Sequence, residues 1–93
     1  LTMEKDTGVV KKNEQTIELT KTEFLILELL LQNKDRILTK QQIFEYAWAG
    51  EYVADDNTIM VHISNLRAKI EDNPKEPKLL KTIKGLGYKL REE

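Results

Sequence analysis

Residues 81–90 read KTIKGLGYKL. Two glycines one residue apart, set among lysines, open either a phosphate-cradling loop or the turn of a basic β-hairpin. A dinucleotide loop requires a strand, then G-x-G-x-x-G, then a helix. Here the third glycine's place is taken by Leu90, and only three residues follow it, so that reading fails. A hairpin fits, because glycine adopts the positive φ that a tight turn demands. We therefore expect strands at about 79–84 and 87–90, turning over Gly85-Leu86-Gly87, with Lys81, Lys84 and Lys89 making the hairpin basic.

The segment before this hairpin carries a helical pattern. Asp56 or Asn57 is a suitable cap, and Asn73-Pro74 a suitable stop, which predicts a helix from there to about Asp72. Ile59, Ile63, Leu66 and Ile70 fall on one stripe with the i, i+4, i+7, i+11 spacing of a helix seated on a core. On the far side, at ~100° per residue, lie Asn57, Val61, Ser64, Asn65 and Ala68. A solvated face normally carries Glu and Lys; this one is short-chained and uncharged, the make-up that close approach to another surface requires. His62 and Lys69 border one edge of it, Met60 and Arg67 the other. Such a strip suits a DNA major groove, with flanking cations on phosphates, the centre on base edges and Val61 against a thymine methyl. It equally suits packing of Val61 and Ala68 on another protein element, or their lying singly in water.

Upstream, Thr20–Glu23 (TKTE) and Thr39–Gln42 (TKQQ) are capping boxes, in which the N3 side chain and the threonine hydroxyl satisfy free N–H groups. They predict helices over about 21–33 and 40–48. In the first, Leu25, Ile26, Leu27, Leu29, Leu30 and Leu31 leave only Lys21, Glu28 and Gln32 as a polar stripe, so this helix belongs at the centre. The second presents Ile43, Phe44, Ala47 and Trp48. Ile37–Thr39 reads as a short strand, and residues 49–56 as an acidic loop longer than a tight turn. The N-terminal residues form extended segments at 1–5, 8–12 and 15–19, divided by Asp6-Thr7-Gly8 and Asn13-Glu14, a small antiparallel meander.

Composition narrows the functional classes. Ninety-three residues form one domain with one core. The longest apolar run, Phe24–Leu27, is far short of the ~18 residues of a membrane span. No cysteine is present and His62 is the single histidine, so there is neither a thiolate or histidine metal cluster nor a nucleophilic triad. The acids are scattered, and Asp55-Asp56 suit a helix start. We expect no enzyme, no cofactor and no small-molecule substrate, in a cytoplasmic setting. The chain starts at Leu1 without an initiator methionine or signal segment and reads as a piece of a longer protein with an N-terminal neighbour. Charge is uneven. Residues 1–61 hold seven Lys or Arg against eleven Asp or Glu, net −4, while residues 62–91 hold eight against three, net +5. The basic footprint is thus confined to the third helix and hairpin.

Four segments, Leu19–Phe24 (LTKTEF), Leu38–Ile43 (LTKQQI) leading to Trp48, Thr58–Ile70 (TIMVHISNLRAKI) and Thr82–Tyr88 (TIKGLGY), resemble in order and spacing the winged-helix effector domains of OmpR/PhoB-type response regulators. The resemblance covers essentially the whole chain. It implies an α+β winged helix-turn-helix: a small N-terminal antiparallel sheet, three helices and a C-terminal hairpin wing, preceded in the intact protein by a receiver domain. It implies binding to double-stranded DNA for transcriptional regulation, with the third helix in the major groove and the wing in the minor groove; the few cations of this chain's third helix add the expectation that two copies bind in tandem. By position, Thr58, Val61 and Asn65 fall where the family meets bases or nearby backbone, Trp48, His62 and Arg67 at phosphate positions, and Lys84 at the wing tip. Asn57, Ser64, Ala68, Lys69, Thr82 and Gly85 complete the candidate DNA face. The loop carrying Gly50, Glu51, Tyr52, Val53 and Asp55 matches the segment that relatives can offer to RNA polymerase.

The sequence also departs from the family. Many relatives carry arginine where this chain has Asn57 and Asn65, a polar or acidic residue at Met60, and arginine at Lys84. Asparagine pairs with adenine N6/N7 where arginine favours guanine, so an A·T-leaning site is expected, with modest affinity. For Tyr46 and Tyr52, packing on the second helix and its loop is the expected role. The rival reading is a winged helix that docks acidic protein partners.

Overall fold

The structure is a computed structural model that describes residues 1–4, 6–48 and 56–91. Its elements run β1 (Thr2–Glu4), β2 (Val9–Lys12), β3 (Gln15–Ile17), α1 (Lys21–Gln32), α2 (Lys40–Ala47), α3 (Asp56–Ile70), β4 (Leu80–Ile83) and β5 (Gly87–Leu90). β1, β2 and β3 form an antiparallel meander, and β4 and β5 a separate hairpin. Asn13 and Glu14 both take positive φ, 51° and 70°, as a two-residue type I′ connection between β2 and β3 requires.

Both capping boxes form as expected. Thr20 Oγ1 accepts from the Glu23 N–H at 3.2 Å, and Glu23 Oε1 accepts from the Thr20 N–H at 3.0 Å. At α2 the corresponding bonds join Thr39 and Gln42 at 3.1 and 2.8 Å. α1 is central, touching α2, α3 and β5. Its Ile26, Leu27 and Leu30 are fully buried with Ile43 of α2, Leu66 and Ile70 of α3, Leu80 of β4 and Val10 of β2. At ~1.5–3 kcal/mol for each fully buried aliphatic side chain, this cluster dominates the folding energy.

Three expectations shift. α3 begins at Asp56, so Asp56 and Asn57 stand within the helix rather than capping it. It ends at Ile70, not Asp72. There Lys12 Nζ donates to the Ile70 carbonyl at 2.6 Å and to Asp72 Oδ1 at 2.9 Å. The Glu71 carboxylate turns away to accept the backbone N–H groups of Lys78, Leu79 and Leu80 at 2.7–3.1 Å. Finally, Ile37–Thr39 is not a strand: Leu38 alone bridges to Tyr88, exchanging backbone hydrogen bonds of 2.8 and 2.9 Å.

That bridge separates the roles of the two hairpin glycines. Gly85 has φ +78° and open space around it. It is the third residue of a turn closed by the Leu86 N–H on the Ile83 carbonyl at 2.9 Å, where a type II turn requires positive φ. Gly87 instead lies under the crossing chain: a Cβ there would sit 2.0 Å from the Leu38 carbonyl oxygen and 2.8 Å from its carbon. Backbone cannot yield as a side chain does. Chemical denaturation of single variants is expected to show Gly87→Ala costing ~3 kcal/mol or abolishing folding, against ~1 kcal/mol for Gly85→Ala.

Candidate nucleic-acid interface

α3 turns Ile59, Ile63, Leu66 and Ile70 inward, each at most 1% exposed, while Val61 is 56% and Met60 52% exposed. Asn57, Ser64, Asn65 and Ala68 are exposed with them, so the small-residue strip faces outward as the spacing predicts. The side chains of Ser64 and Asn65 make no hydrogen bond among the described residues and are available to an external partner. At one border of the strip, His62 is half-buried. Its ring meets the Trp48 indole edge-on, with centroids 5.1 Å apart, and its Nδ1 lies 2.7 Å from the Thr58 carbonyl oxygen. Trp48 ends α2 and is held by stacking on the core residue Phe44 at 4.3 Å.

The wing sits beside the other border. Met60, Ser64 and Arg67 of α3, Thr39 and Gln41 at the start of α2, and Lys84 and Leu86 of the wing line one open groove. Lys84, Gly85 and Leu86 are exposed at its tip.

Two cations expected on phosphates have partners inside the chain. Arg67 Nε donates to the Leu80 carbonyl at 2.9 Å and Nη2 to Thr82 Oγ1 at 2.7 Å. Its guanidinium also lies 5.9 Å from the Tyr88 ring centroid, within cation–π range. Burial lowers its pKa from the ordinary arginine range, against the opposing influence of Tyr88 and Glu71. Arg67 thus clips the wing to α3, and only Nη1 is without a partner among the described residues. Lys69 reaches back to Glu23, forming an ion pair over the start of α1. Burial pushes the Glu23 carboxyl upward, but the hydrogen bond from Lys69, the Thr20 N–H and the lysine charge together hold it below the ordinary carboxylate value.

Sequence reasoning missed these internal partners, and missed Glu71. Nothing local in Arg67-Ala68-Lys69 distinguishes a clip from a phosphate contact, because Leu80, Thr82 and Glu23 are remote in sequence. Tyr46 is 38% exposed and donates its hydroxyl to Glu28 of α1, a surface tie to the first helix rather than packing on the second helix and its loop. Tyr52 and the expected polymerase-contact residues Gly50, Glu51, Val53 and Asp55 lie outside the described residues.

This arrangement, three helices with a wing clipped beside an outward-facing third helix, defines a winged-helix domain. The sequence profile described as "Transcriptional regulatory protein, C terminal" matches residues 13–90, and the chain belongs to that family; its kinship is with OmpR/PhoB-type response regulators. It is 50% identical over 82 residues to the response regulator GtcR of Aneurinibacillus migulanus, covering 87% of this chain and 34% of that one. It is 44% identical over 88 residues to the sensory transduction protein RegX3 of Mycobacterium tuberculosis, covering 95% and 39%. Among solved structures, the DNA-binding domain of Klebsiella pneumoniae RstA in complex with the RstA box superposes with a TM-score of 0.86 at 25% identity, covering 96% of this chain and 88% of that one. DrrB of Thermotoga maritima, an OmpR/PhoB homologue, gives 0.87 at 30%, covering 97% and 41%. The chain therefore spans little more than a third of the curated relatives' length.

Because the folded Glu23 pKa is depressed, its contribution to stability is present above the unfolded value and lost as pH falls through the folded one. Acid unfolding curves of the wild type and Glu23→Gln are expected to lie furthest apart above the ordinary carboxylate range and to draw together as pH falls below it. Arg67→Met, which keeps the aliphatic stem, is expected to cost ~2 kcal/mol in denaturant unfolding through the unpaired Leu80 carbonyl and the lost charged hydrogen bonds.

Proposed function

We propose that this chain binds double-stranded DNA sequence-specifically, with α3 in the major groove and the wing at the adjacent minor groove, as the effector domain of a two-component response regulator. The observation that carries this is the outward strip of α3: Val61, Ser64, Asn65 and Ala68 exposed, the side chains of the two polar ones without partners among the described residues, between His62 and the wing. The co-crystallised DNA of the superposing RstA domain supports it. Val61 supplies an apolar contact for a thymine methyl, and Asn65 an amide that matches adenine N6/N7. Thr58 and Asn57 stand at the N-terminal end of the strip, nearest the backbone. Trp48 and His62 face phosphates on one side, and Lys84 enters the minor groove on the other, with Gly85 giving it clearance. Thr82 and Arg67 act mainly by holding the wing in place.

The intact protein is proposed to carry a receiver domain before Leu1, to act in the bacterial cytoplasm, and to bind tandem half-sites, since one domain offers few cations. Contact of residues 50–55 with RNA polymerase belongs to the same reading. Membership of a transcriptional-regulator family supports recognition rather than catalysis as the domain's role. Among the described residues there is no cluster of His, Cys, Asp or Glu able to hold a metal, and no described helix is long and apolar enough to cross a membrane.

Selection of bound duplexes from a random pool tests the proposal, and an A·T-leaning half-site is expected. With Arg67 and Lys69 engaged internally, log K against log salt is expected to have a slope of only about −3 per domain, becoming shallower by ~1 in Lys84→Ala. Asn65→Arg is expected to shift preference from adenine to guanine at one position, a change of ~1–3 kcal/mol. Failure to bind any duplex at low salt would leave the protein-docking reading.

A further inference from the structure

His62 is the single histidine of the chain, and its ring is oriented by the edge contact with Trp48, at an interplanar angle of 87°, and by the 2.7 Å contact of Nδ1 with the Thr58 carbonyl. A carbonyl oxygen only accepts, so Nδ1 carries a proton as long as this bond is kept. In the neutral ring the other nitrogen, Nε2, is then a bare lone pair. Nε2 has no partner among the described residues. It is not a sealed atom either, since no buried side-chain nitrogen or oxygen among them lacks one. It therefore opens to solvent at the border of the α3 strip.

A phosphate oxygen also only accepts. Facing the Nε2 lone pair, it forms no hydrogen bond; facing a protonated Nε2, it gains a charge-assisted one. We propose that His62 takes up one proton when this chain binds duplex DNA, so that affinity is coupled to pH through this residue. The inference rests on the DNA-binding reading above. The proton comes from solvent and bonds to the Nε2 lone pair; the complex holds an imidazolium with Nδ1–H on the Thr58 carbonyl and Nε2–H on a phosphate oxygen.

Among the described residues no charged side chain forms an ion pair with His62. On α3, Lys69 is two turns away and paired with Glu23 of α1. On α2, Glu45 is three residues before Trp48 and accepts from Gln41 at 2.9 Å. Asp56 opens α3 and Asp55 and Glu51 precede it in sequence; the side chains of all three lie outside the described residues. Trp48 and the Thr58 carbonyl, which do touch the ring, do not titrate.

The sign follows from linkage. Phosphate favours the charged ring, so binding is strongest at low pH and weakens as pH rises through the value at which bound His62 loses its proton. The test uses this chain and a duplex recovered from the random pool, at fixed salt, from about pH 5.5 to about pH 8.5, the range in which imidazoles change charge. Affinity is expected to fall roughly tenfold across it. The isolated NMR signal of the His62 Cε1–H is expected to titrate at higher pH in the complex than in the free chain. His62→Gln, whose amide donates without titrating, is expected to give a flat profile. A His62 midpoint unmoved or lowered by DNA, or a wild-type profile no steeper than that of His62→Gln, overturns the inference while leaving DNA binding intact. Absence of binding to any duplex at every pH overturns the DNA reading and this inference with it.

Discussion

Leu38 and Tyr88 exchange two backbone hydrogen bonds across a gap that only a glycine at 87 leaves open. This contact ties the wing to the connection between α1 and α2, and much of the domain's geometry depends on it. Tyr88, only 4% exposed, brings its ring beneath the Arg67 guanidinium, and Arg67 in turn holds Leu80 and Thr82. A two-stranded hairpin alone is marginally stable in water. Joined at Leu38 and clipped at Arg67, it keeps a defined position beside α3, so Lys84 and the α3 strip present one surface.

The same economy of cations runs through the molecule. Lys12 closes the C-terminal end of α3 by taking the Ile70 carbonyl, where the helix dipole favours positive charge. Its hydrogen bond and charge also draw the exposed Asp72 carboxyl below its ordinary value. Lys69 completes the start of α1 through Glu23. Glu71, 8% exposed, gathers the N–H groups that lead into β4. Charges that look like a nucleic-acid footprint along the chain are thus partly fasteners between distant segments. What remains exposed on α3 is a lean apolar and amide strip with few cations around it.

Local chemistry made much of the fold legible. The capping boxes placed two helix starts correctly because hydroxyl, carboxylate and amide partners lie three residues apart and need no tertiary help. The i, i+4, i+7, i+11 stripe of α3 separated Ile59, Ile63, Leu66 and Ile70 from Val61, Ser64 and Asn65 because a helix fixes direction by spacing alone. The end of α3 was misplaced by two residues because Lys12, 58 positions earlier, terminates it before Asn73-Pro74 does. Ile37–Thr39 looked like a strand by composition, yet only Leu38 finds a partner, and that partner lies in β5.

The sequence by itself determined the elements, the central place of α1, the outward strip of α3 and the family resemblance, since each rests on periodicity or on short-range hydrogen bonding. Only the tertiary structure decided which cations are free, because a lysine or arginine is claimed by whatever carboxylate or carbonyl the fold brings near it. It alone decided that Gly85 and Gly87 do different things, one shaping a turn and the other admitting a neighbouring backbone. And it alone set the His62 ring edge-on against Trp48, with Nδ1 2.7 Å from the Thr58 carbonyl oxygen. A side chain's type sets what bonds it is able to make; the packing around it sets which of them are already made.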